Sequence, residues 1–355
     1  ASKKGQPLED LMPYLDLVAT AIAADIVPMT GENRTLAYLG LQVINSNPRN
    51  GIKAIIQQVK KTILTITDVV FIIAPRINAA GRIKHGNYAV ELLTEMDLDA
   101  AVQFAAAIEK FNADRKELDK KITHEALQQI TEHNEEQKFS TVVYHKTWHK
   151  GVIGIVASRL IETYYRPTLV FTKSGEKLAA SARSVKGFDV YNALEQCSEF
   201  IEQFGGHKYA AGLTLAPENY ENFKQKFEEV VSKTIDPALL IPEISIDAEI
   251  DLSEITPKFF RIIQQMAPFG PQNMKPVFSS SSVRDNGFGK QVGADKSHLK
   301  LNIIYGADRK TYNAIGFGLG KKLSIAQNEF DIAYALDENT WNGNTSIQLL
   351  LKDLK

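Results

Sequence analysis

Apolar residues in the first part of the chain recur at helical spacing. Residues 8–25 carry apolar side chains at intervals of three and four, and the same period returns over residues 34–45 and 51–59. This spacing puts the apolar side chains on one face, so three amphipathic helices are predicted. Residues 68–75 (DVVFIIAP) form a continuous apolar run that ends in a proline, which predicts a short buried strand.

Residues 88–138 predict helix almost throughout. From residue 112 onward the segment is dense in both positive and negative side chains. Opposite charges three or four positions apart stabilise a solvated helix. We therefore expect a long charged helix that connects two domains.

The middle of the chain alternates between strand and helix patterns. Strands are predicted at residues 141–145, 168–172, 178–182 and 210–215, and helices at residues 152–165 and 191–204. Such alternation is typical of an α/β domain, here of about a hundred residues.

A proline-containing boundary at residues 234–242 precedes a region dominated by strands. These strands are predicted at residues 245–250, 277–284, 299–305, 310–317, 330–337 and 346–352, with one helix at residues 257–265. Glycine and asparagine turns separate them. Short strands at this spacing predict a small barrel, for which an OB fold is the leading candidate. The fold class is therefore α/β plus all-β.

The composition fits a soluble globular class and two or three domains. The chain has 355 residues, is 44% hydrophobic, and carries a net charge of −1. A single cysteine, Cys197, excludes an intramolecular disulfide and a cysteine-rich zinc site, and it fits a cytoplasmic location. There is no signal peptide and no apolar run of about 20 residues, so no membrane partner is expected. The first residue is not methionine, which fits a processed chain, a tag remnant or a fragment.

Local charge is less even than the total. Residues 284–322 contain eight lysines or arginines and three acidic residues, whereas residues 216–260 contain ten acidic and four basic residues. Four aromatic residues are interleaved with the basic stretch: Phe288, Tyr305, Tyr312 and Phe317. Basic side chains follow a phosphate backbone and aromatic rings stack on bases, so this stretch predicts a groove for a single strand.

Asp25 follows an apolar helix and precedes a proline by three positions. It is interpreted either as a simple helix cap or as a ligand for a divalent metal ion, because hard cations bind carboxylate oxygens. The chain offers no Asp-x-Asp or histidine pair with matching spacing. Both interpretations remain open from the residues alone.

Arg76 and Arg82 flank small residues in the segment 75–82 (PRINAAGR), which the sequence predicts to be a loop. Arginine presents a planar, permanently charged fork that fits phosphate. Small neighbours allow a phosphate to approach. A surface loop with solvated arginines explains the same residues equally well.

Two further stretches combine small and phosphate-binding residues. Residues 148–155 (WHKGVIGI) lead through glycines into a helix, whose free N–H groups attract anions, although the spacing is not that of a dinucleotide fingerprint. In residues 180–184 (ASARS), a period of two puts Ser181 and Arg183 on the same face of a strand. They form either a phosphate clamp or a polar strand end. Residues 316–322 (GFGLGKK) lack the spacing of a P-loop and predict a turn.

Residues 204–212 (FGGHKYAAG) place His207 among residues that have almost no side chains. One interpretation is a tight turn into a buried strand. The other is a histidine presented to a ligand that must come close to the backbone, with Gly205 and Gly206 providing the space.

In their order along the chain, these stretches resemble the RecJ single-strand exonucleases of the DHH phosphoesterase superfamily. The resemblance rests on residues 15–34 (LDLVATAIAADIVPMTGENR), 75–83, 148–160, 180–184, 204–212 and 266–278 (MAPFGPQNMKPVF). It covers nearly the whole chain. The resemblance implies four parts: the C-terminal part of a DHH domain (1–105), a linking helix (106–138), a DHH-associated substrate-binding domain (139–236) and a C-terminal OB-fold domain (237–355).

The resemblance also implies roles for individual residues. Asp25 would be a ligand of Mn²⁺ or Mg²⁺ and, with His207, a catalytic residue. Six residues would hold the 5′ phosphate or the adjacent backbone: Arg76, Arg82, Ser181, Arg183, Gly205 and Gly206. Which of the two arginines in residues 75–83 meets phosphate is left open.

The implied activity is metal-dependent 5′–3′ degradation of single-stranded DNA in repair and recombination. The implied partners are single-stranded DNA, single-strand-binding protein and a recombination helicase. The Asp-x-Asp, lone Asp and Asp-His-His ligands of the family are absent, so the chain is expected to be a C-terminal portion that binds strands without hydrolysing them. The alternatives are a DHH phosphoesterase that acts on short oligonucleotides or cyclic dinucleotides, and a non-catalytic single-strand-binding module.

Overall fold

The computed structural model describes residues 7–59, 61–305, 309–341 and 343–355. These residues form two units, each with its own sheet and apolar core. The discontinuous unit consists of Ala1–Pro48, Thr62–Val70 and Glu243–Lys355. The central unit consists of Arg49–Lys61 and Phe71–Pro242.

The described elements are mixed helix and strand. The helices are α1 (Leu15–Ala24), α2 (Gly31–Ser46), α3 (Asn50–Gln57), α4 (Ile66–Asp68), α5 (Ala74–Ile83), α6 (Asn87–Thr94), α7 (Leu98–Glu132), α8 (Ile153–Thr163), α9 (Val190–Glu195), α10 (Tyr220–Thr234) and α11 (Pro257–Gln265). The strands are β1 (Thr141–Tyr144), β2 (Thr168–Ser174), β3 (Lys177–Arg183), β4 (Gln203–His207), β5 (Ala210–Leu215), β6 (Ala248–Glu249), β7 (Val277–Asp285), β8 (Lys290–Val292), β9 (His298–Tyr305), β10 (Lys310–Gly316), β11 (Phe330–Trp341) and β12 (Asn344–Leu354). Within the described ranges, no helix is both long and apolar enough to span a membrane.

The sheet of the central unit has the strand order β1-β2-β3-β5-β4. Strands β1 and β2 are parallel and the remaining pairs are antiparallel. Successive residues of a strand point to opposite faces, so Leu169 and Phe171 pack in the core formed with α9 and α10. Val143 and Val170 pack on the other face, in the core formed with α7 and α8. The predicted α/β pattern is confirmed, and helices cover both faces of the sheet.

Helix α7 begins at the cap Asp97, whose carboxylate accepts a hydrogen bond from Ala100 N at 2.8 Å. It runs for 35 residues. The sequence predicts a solvated connector, and this is wrong for one face of the helix. Asn112 and Asp119 are 0% and 1% exposed, because they lie on the same stripe as the apolar residues that pack against the core.

The sheet of the discontinuous unit has the order β6-β7-β11-β12-β10-β9-β8, with β10 parallel to β12. Strand β7 also pairs with β9, through Arg284 and Asp285. The expected OB barrel is therefore present as a strongly curled sheet around the core of Leu299, Leu301 and Leu349, rather than as a fully paired cylinder. The predicted strands are confirmed, except that residues 245–250 contribute just the two residues of β6.

The N-terminal helices of the discontinuous unit are fastened to the end of α11 and the loop between α11 and β7. The Arg34 guanidinium donates to the carbonyl oxygens of Gln265, Met266 and Ala267 at 3.1–3.2 Å. These carbonyls belong to the end of α11, where helical partners are lacking. Met29 N also donates to Pro271 O at 2.7 Å.

The strand predicted at residues 68–75 is wrong, because this segment is helical. Thr65 and Asp68 form a capping box that begins α4. A π-helical turn (Val69–Ile73) then leads into α5, which tolerates Pro75 in its first turn. A short apolar run suits a buried helix as well as a buried strand. The loop predicted for residues 75–82 is therefore also wrong, since α5 contains both arginines.

The helix predicted at residues 191–204 is too long. Helix α9 ends at Glu195, and Gln203–His207 form strand β4 instead. Gly205 and Gly206 disfavour a helix, and β4 gains backbone hydrogen bonds by pairing with β5.

Candidate phosphate-binding site on the central sheet

The register of the sheet brings Arg183 and His207 into one row. Both residues lie opposite Ala210, Arg183 on β3 and His207 on β4. Directly paired residues point to the same face, so both side chains project from the face of the sheet that α8 covers in part. Two strand spacings separate their backbones by about 10 Å. The gap between them is floored by the methyl group of Ala210.

Ser181 lies in the neighbouring row on the same face. It is opposite Gly212, which is opposite Gly205. The structure thus confirms the prediction that Ser181 and Arg183 lie on the same face of one strand, β3. Gly212 and Gly205 are exposed, and an added Cβ at Gly205 would meet no atom within 4 Å. This half of the sheet therefore forms an open strip whose floor lacks side chains.

Helix α8 begins directly above Ser181 and Arg183. A Cβ at Gly154 would lie 2.9 Å from Ser181 Oγ and 3.0 Å from Arg183 Nη2. A side chain at Gly154 would have to displace the serine hydroxyl and the guanidinium. The glycine thus lets the positive end of the helix come close to both groups. The hydroxyl, the guanidinium and the helix terminus form a setting that favours an anion.

The hydrogen bonds of Arg183 do not neutralise its charge. Its Nη1 donates to Ser181 Oγ at 3.0 Å and to Ala182 O at 2.7 Å. Burial lowers the pKa of Arg183, and the nearby charge of Arg82 lowers it further. Within the described ranges, neither Arg82 nor Arg183 forms an ion pair with a carboxylate. A phosphate would supply the missing negative charge.

Arg82 contacts the loop before α8 through both its side chain and its backbone. Its Nη1 donates to Gly151 O at 3.1 Å. A Cβ at Gly151 would lie 2.2 Å from Arg82 O, so the two backbones are in close contact. Arg82 is exposed, which leaves its remaining donors accessible to a ligand.

Arg76 is placed differently. Its Nε lies 2.5 Å from Glu109 Oε2 on α7, and its Nη1 donates to Ile72 O at 2.7 Å. The side chain is 12% exposed. Its charge is already compensated, so the geometry favours Arg82 over Arg76 as the arginine that meets phosphate.

A polar cluster on α7 and α8 adds to the positive charge. Arg115 Nη2 donates to Asn112 Oδ1 at 3.1 Å, and Arg159 Nε donates to both carboxylate oxygens of Asp119 at 2.8 and 2.9 Å. Burial lowers the pKa of Arg115; Arg159 and Arg82 lower it as well, whereas Asp119 opposes the shift. One carboxylate, Asp119, thus serves two arginines, Arg115 and Arg159, and positive charge remains in excess.

His207 stands at the tip of the β4–β5 hairpin. Its Nδ1 accepts a hydrogen bond from Tyr209 N at 3.2 Å. A backbone amide donates and never accepts, so the neutral ring carries its proton on Nε2. The ring is exposed, and Nε2–H is available to a ligand on the open strip. The tip is fixed because Ser184 N and Val190 N donate to the carbonyls of Tyr209 and Lys208.

Gly206 has a structural role in the hairpin. Its φ of +153° is strained for other residues, and a Cβ would lie 2.3 Å from Ala210 O. Gly205, by contrast, has free space above it. The two glycines that were predicted to admit a DNA strand therefore differ. Gly206 is needed for the backbone conformation of the hairpin, whereas Gly205 leaves the surface of the sheet open.

Asp25 lies in the discontinuous unit, as the C-cap residue of α1. It is exposed, and Ile26 after it has a φ of +53°. Across the part of the chain that the structure describes, no group of three or more histidine, cysteine, aspartate or glutamate residues is arranged to hold a metal ion. The described residues therefore do not form a complete metal site.

The aromatic residues of the basic C-terminal stretch fall into two classes. Tyr305 and Tyr312 stack on each other with ring centroids 4.6 Å apart, and Tyr312 OH donates to Ile255 O. Phe288 and Phe317 are 75% and 63% exposed. Of these four residues, the two phenylalanines are therefore the exposed ones, and Phe317 also makes a T-shaped contact with His298 at 5.2 Å between ring centroids. The sequence groups all four together.

Sequence reasoning missed the buried polar residues of α7. Asn112, Arg115 and Asp119 continue the helical spacing of Ile108 and Ile122, so the signal is present in the sequence. Their dense charged surroundings concealed it. Polar residues at core-facing positions of a helix indicate a buried network, because such groups are rarely buried without partners.

Two family models match the chain. Residues 136–233 match the DHHA1 domain, and residues 246–353 match the RecJ OB domain. The DHHA1 match contains the open strip and the arginines of β3 and α8. The RecJ OB match contains the curled sheet.

Curated relatives match along almost the entire chain. The chain is 33% identical over 346 residues to the single-stranded-DNA-specific exonuclease RecJ of Bacillus subtilis (strain 168), covering 96% of this chain and 43% of the relative. It is 31% identical over 362 residues to the protein of the same name from Escherichia coli (strain K12), covering 98% of this chain and 62% of the relative. The chain thus spans about half the length of these relatives.

Solved structures agree with these matches. The structure of RecJ in complex with Mn²⁺ from Thermus thermophilus superposes with a TM-score of 0.85 at 27% identity, covering 100% of this chain and 51% of that one. The Mg²⁺ complex from the same source gives a TM-score of 0.83 at 26% identity, covering 100% of this chain and 53% of that one. A divalent metal ion therefore accompanies these structural relatives.

Proposed function

We propose that this chain, which is similar over almost its whole length to RecJ single-stranded-DNA-specific exonucleases, is the strand-holding part of a metal-dependent 5′–3′ exonuclease of DNA repair and recombination. The observation that carries this proposal is the pair Arg82 and Arg183. Arg183 donates to Ser181, Arg82 is its charged neighbour, and neither arginine pairs with a carboxylate among the described residues. A terminal 5′ phosphate, with a charge near −2, matches this excess of positive charge.

The open strip receives the strand beyond its end. The side-chain-free floor at Gly205 and Gly212 lets a phosphodiester approach the sheet, and His207 donates from Nε2 to a phosphate oxygen. Arg183 and His207 stand about 10 Å apart, a span that accommodates more than one phosphate group. In the discontinuous unit, Phe288 and Phe317 stack on bases and the surrounding lysines follow the backbone.

Hydrolysis requires more than the described residues provide. A metal-dependent site clamps the attacking and leaving oxygens with several ligands. Asp25 contributes one carboxylate to Mn²⁺ or Mg²⁺ in this proposal, and the described residues do not complete the set. The chain by itself is therefore proposed to bind strands without turnover.

The proposal also specifies surroundings. The proposed substrate is single-stranded DNA, and the proposed location of the protein is the cytoplasm. Single-strand-binding protein and a recombination helicase are its proposed partners, because both act where such strands are exposed.

A non-catalytic strand-binding module is the second candidate. The lack of a metal-binding group among the described residues favours it. The two candidates agree on the phosphate site and differ in what the complete polypeptide does. A related phosphoesterase acting on short oligonucleotides or cyclic dinucleotides fits less well, because such a substrate makes no use of a separate curled sheet with exposed phenylalanines.

Two measurements test the proposal. Fluorescence anisotropy compares the binding of this chain to a 20-nucleotide strand that ends in a 5′ phosphate, a 5′ hydroxyl or a 3′ phosphate. We expect tighter binding of the 5′-phosphorylated strand, with an affinity that falls as salt rises. Equal affinity for all three would overturn the phosphate assignment.

In the second measurement, the protein encoded by the complete reading frame that contains this chain is incubated with Mn²⁺ and a long single strand labelled at its 5′ end. Release of labelled mononucleotide supports the exonuclease. Tight binding without release establishes the non-catalytic module instead.

A further inference from the structure

Gly151 is held by hydrogen bonds at both ends of its backbone. Its N–H donates to Nδ1 of His149 at 3.1 Å, and its carbonyl accepts from Nη1 of Arg82 at 3.1 Å. A Cβ at this position would lie 3.1 Å from Cε1 of His149 and 2.2 Å from Arg82 O. The imidazole, the Gly151 backbone and Arg82 are therefore packed together with no intervening side chain.

The hydrogen bond defines the state of the His149 ring. An amide N–H can only donate, so Nδ1 must carry a lone pair and the neutral ring carries its proton on Nε2. The backbone of His149 is fixed as well, because its carbonyl accepts from Val152 N at 2.9 Å and from Ile153 N at 3.3 Å. The ring thus acts from a rigid position at the start of α8.

We propose that His149 is a positioning residue for Arg82. The neutral imidazole holds the Gly151 N–H, this orients the Gly151 carbonyl, and the carbonyl anchors the Arg82 guanidinium beside Arg183. This role rests on the proposed function, because it is at the phosphate site that the orientation of Arg82 matters. His149 itself need not touch the phosphate.

Protonation of His149 breaks this chain of contacts. A second proton on Nδ1 converts the acceptor into a donor that faces the Gly151 N–H. The hydrogen bond is lost, and Arg82 loses its fixed partner. Charged groups lie at both ends of this chain of contacts. Arg82 has Arg115 and Arg183 as charged neighbours, and Asp119 pairs with Arg115 and Arg159. On either side of His149, Trp148 donates to Glu125 and Lys150 donates to Ser174.

The chain offers a matched control in His145. It lies four residues earlier, before the same helix, and its Nδ1 also takes part in a local contact, with Thr147 Oγ1 at 2.8 Å. That contact does not lead to Arg82. The variant His149→Asn is the conservative replacement, since its amide oxygen accepts the Gly151 N–H at every pH, whereas His149→Ala removes the acceptor altogether.

The first experiment reads the contacts without nucleic acid. Heteronuclear NMR follows the Gly151 amide and the Arg82 Nε signals between about pH 8 and about pH 5, the range in which histidines generally titrate. We expect both signals to move together in the wild type and in His145→Asn, and to stay near their high-pH positions in His149→Asn. If the Arg82 signal moves identically in all three proteins, the positioning role is overturned.

The second experiment measures the preference for a 5′-phosphorylated over a 5′-hydroxyl strand over the same pH range. For the wild type we expect the preference to fall by about threefold to tenfold as pH decreases, the equivalent of one net hydrogen bond. The phosphate monoester itself gains a proton near about pH 6. This affects every variant equally, so the difference from His149→Asn isolates the histidine.

His149→Ala is expected to show the weak preference at all pH values, with an unfolding transition like that of the wild type. A pH-dependent preference that is the same in His149→Asn as in the wild type contradicts the proposal. Coupled NMR signals without any preference for the 5′ phosphate would support the positioning of Arg82 and overturn the proposed phosphate site. The two failures are therefore distinguishable.

Discussion

Two arginines of the central unit differ in how their charge is accommodated. Arg166, two residues before β2, is 4% exposed and donates to Thr141 Oγ1 and to the carbonyls of Glu135, Glu136 and Lys138. Burial lowers its pKa, and nearby carboxylates led by Glu228 oppose the shift.

Arg183, at the end of β3, lies in a different environment. Among the described residues, its bonded partners are a hydroxyl and one carbonyl, and its charged neighbour is another arginine. The comparison separates an arginine that joins parts of the fold from one that is prepared for a ligand. Arg166 is buried and Arg183 is half-buried, and in both cases burial lowers the pKa of the guanidinium. The difference that matters for a ligand is whether the protein itself supplies the acceptors and negative charge.

Replacing Arg166 with Met should cause the largest change. The substitution removes the Arg166 donor from the Thr141 hydroxyl and from the carbonyls of Glu136 and Lys138, and Glu135 O keeps the Lys138 N–H. We therefore expect the free energy of unfolding to fall by about 3–5 kcal/mol. Urea denaturation followed by circular dichroism measures it. The matched control is Arg284→Met, which removes an exposed ion pair with Glu329 and should cost about 1 kcal/mol or less. Similar losses for both variants would show that the buried contacts of Arg166 do not stabilise the fold.

Replacing Arg183 with Gln should have the opposite pattern of effects, with a large loss of strand binding and a small change in stability. We expect affinity for a 5′-phosphorylated strand to fall by about 10-fold to 100-fold, because charge-assisted hydrogen bonds are lost. Stability should change by less than about 1 kcal/mol, since an uncompensated charge is removed together with its contacts. Anisotropy and urea denaturation on the same samples check both. Arg76→Gln is the control, and an equal loss of binding in this variant would contradict the choice between the arginines.

The two adjacent glycines of β4 extend the comparison to the backbone. Gly206→Ala forces a Cβ to within 2.3 Å of Ala210 O at a strained φ, so we expect a loss of about 1–3 kcal/mol of stability. Gly205→Ala meets no atom within 4 Å and should change stability by about 0.5 kcal/mol or less. It should weaken strand binding severalfold, because the methyl group occupies the open strip. Unchanged binding in folded Gly205→Ala would refute the path of the strand.

The smallest effect concerns pH and the Arg166 region. Glu135 is 7% exposed and lies 2.7 Å from Lys138 Nζ and 2.8 Å from Lys224 Nζ. Burial acts to raise the pKa of Glu135, but hydrogen bonds from the two lysines and their charges outweigh it, so the pKa is lowered from the usual 4.5.

A lowered pKa means that the stabilising contribution is present above about pH 4.5 and is lost as the pH falls through the native value. Glu135→Gln should reduce stability by about 1 kcal/mol at pH 7 and flatten its decline in acid. Denaturation curves between about pH 7 and about pH 3 test this. The exposed Glu229, which pairs with Lys233, supplies the control variant Glu229→Gln. A wild-type slope that persists in Glu135→Gln would assign the acid sensitivity to other groups.

Part of the site is visible in the sequence because it depends on local geometry. The alternation of a strand suffices to place Ser181 and Arg183 on one face, and the structure confirms it. The choice between Arg76 and Arg82 needs more. On a helix, residues six positions apart point in different directions; Arg76 reaches Glu109 and Arg82 reaches Gly151. Neither partner is adjacent in sequence.

Long-range partners also explain what sequence reasoning missed. His149 and Gly151 look like an ordinary approach to a helix until α5 is brought beside them. The segment 68–75 shows the opposite case, in which local pattern misleads. Its apolar run fits two structures equally well, and the capping box at Thr65 that decides between them is a weaker signal than the run itself.

The clamp made by Arg34 has a consequence for the order in which the molecule is completed. The carbonyls that Arg34 binds lie 231 to 233 residues further along the chain. A growing polypeptide emerges from the ribosome N-terminal end first, so α1 and α2 must wait for α11 before the clamp can close. The central unit, by contrast, consists of the continuous segment Phe71–Pro242 and thirteen further residues, Arg49–Lys61, which come earlier in the chain. The central unit can therefore fold before the N-terminal helices are fixed. A ribosome stalled at a length at which Pro242 has left the exit tunnel and Gln265 has not should carry a protease-resistant central unit with an N-terminal segment that is still cleaved.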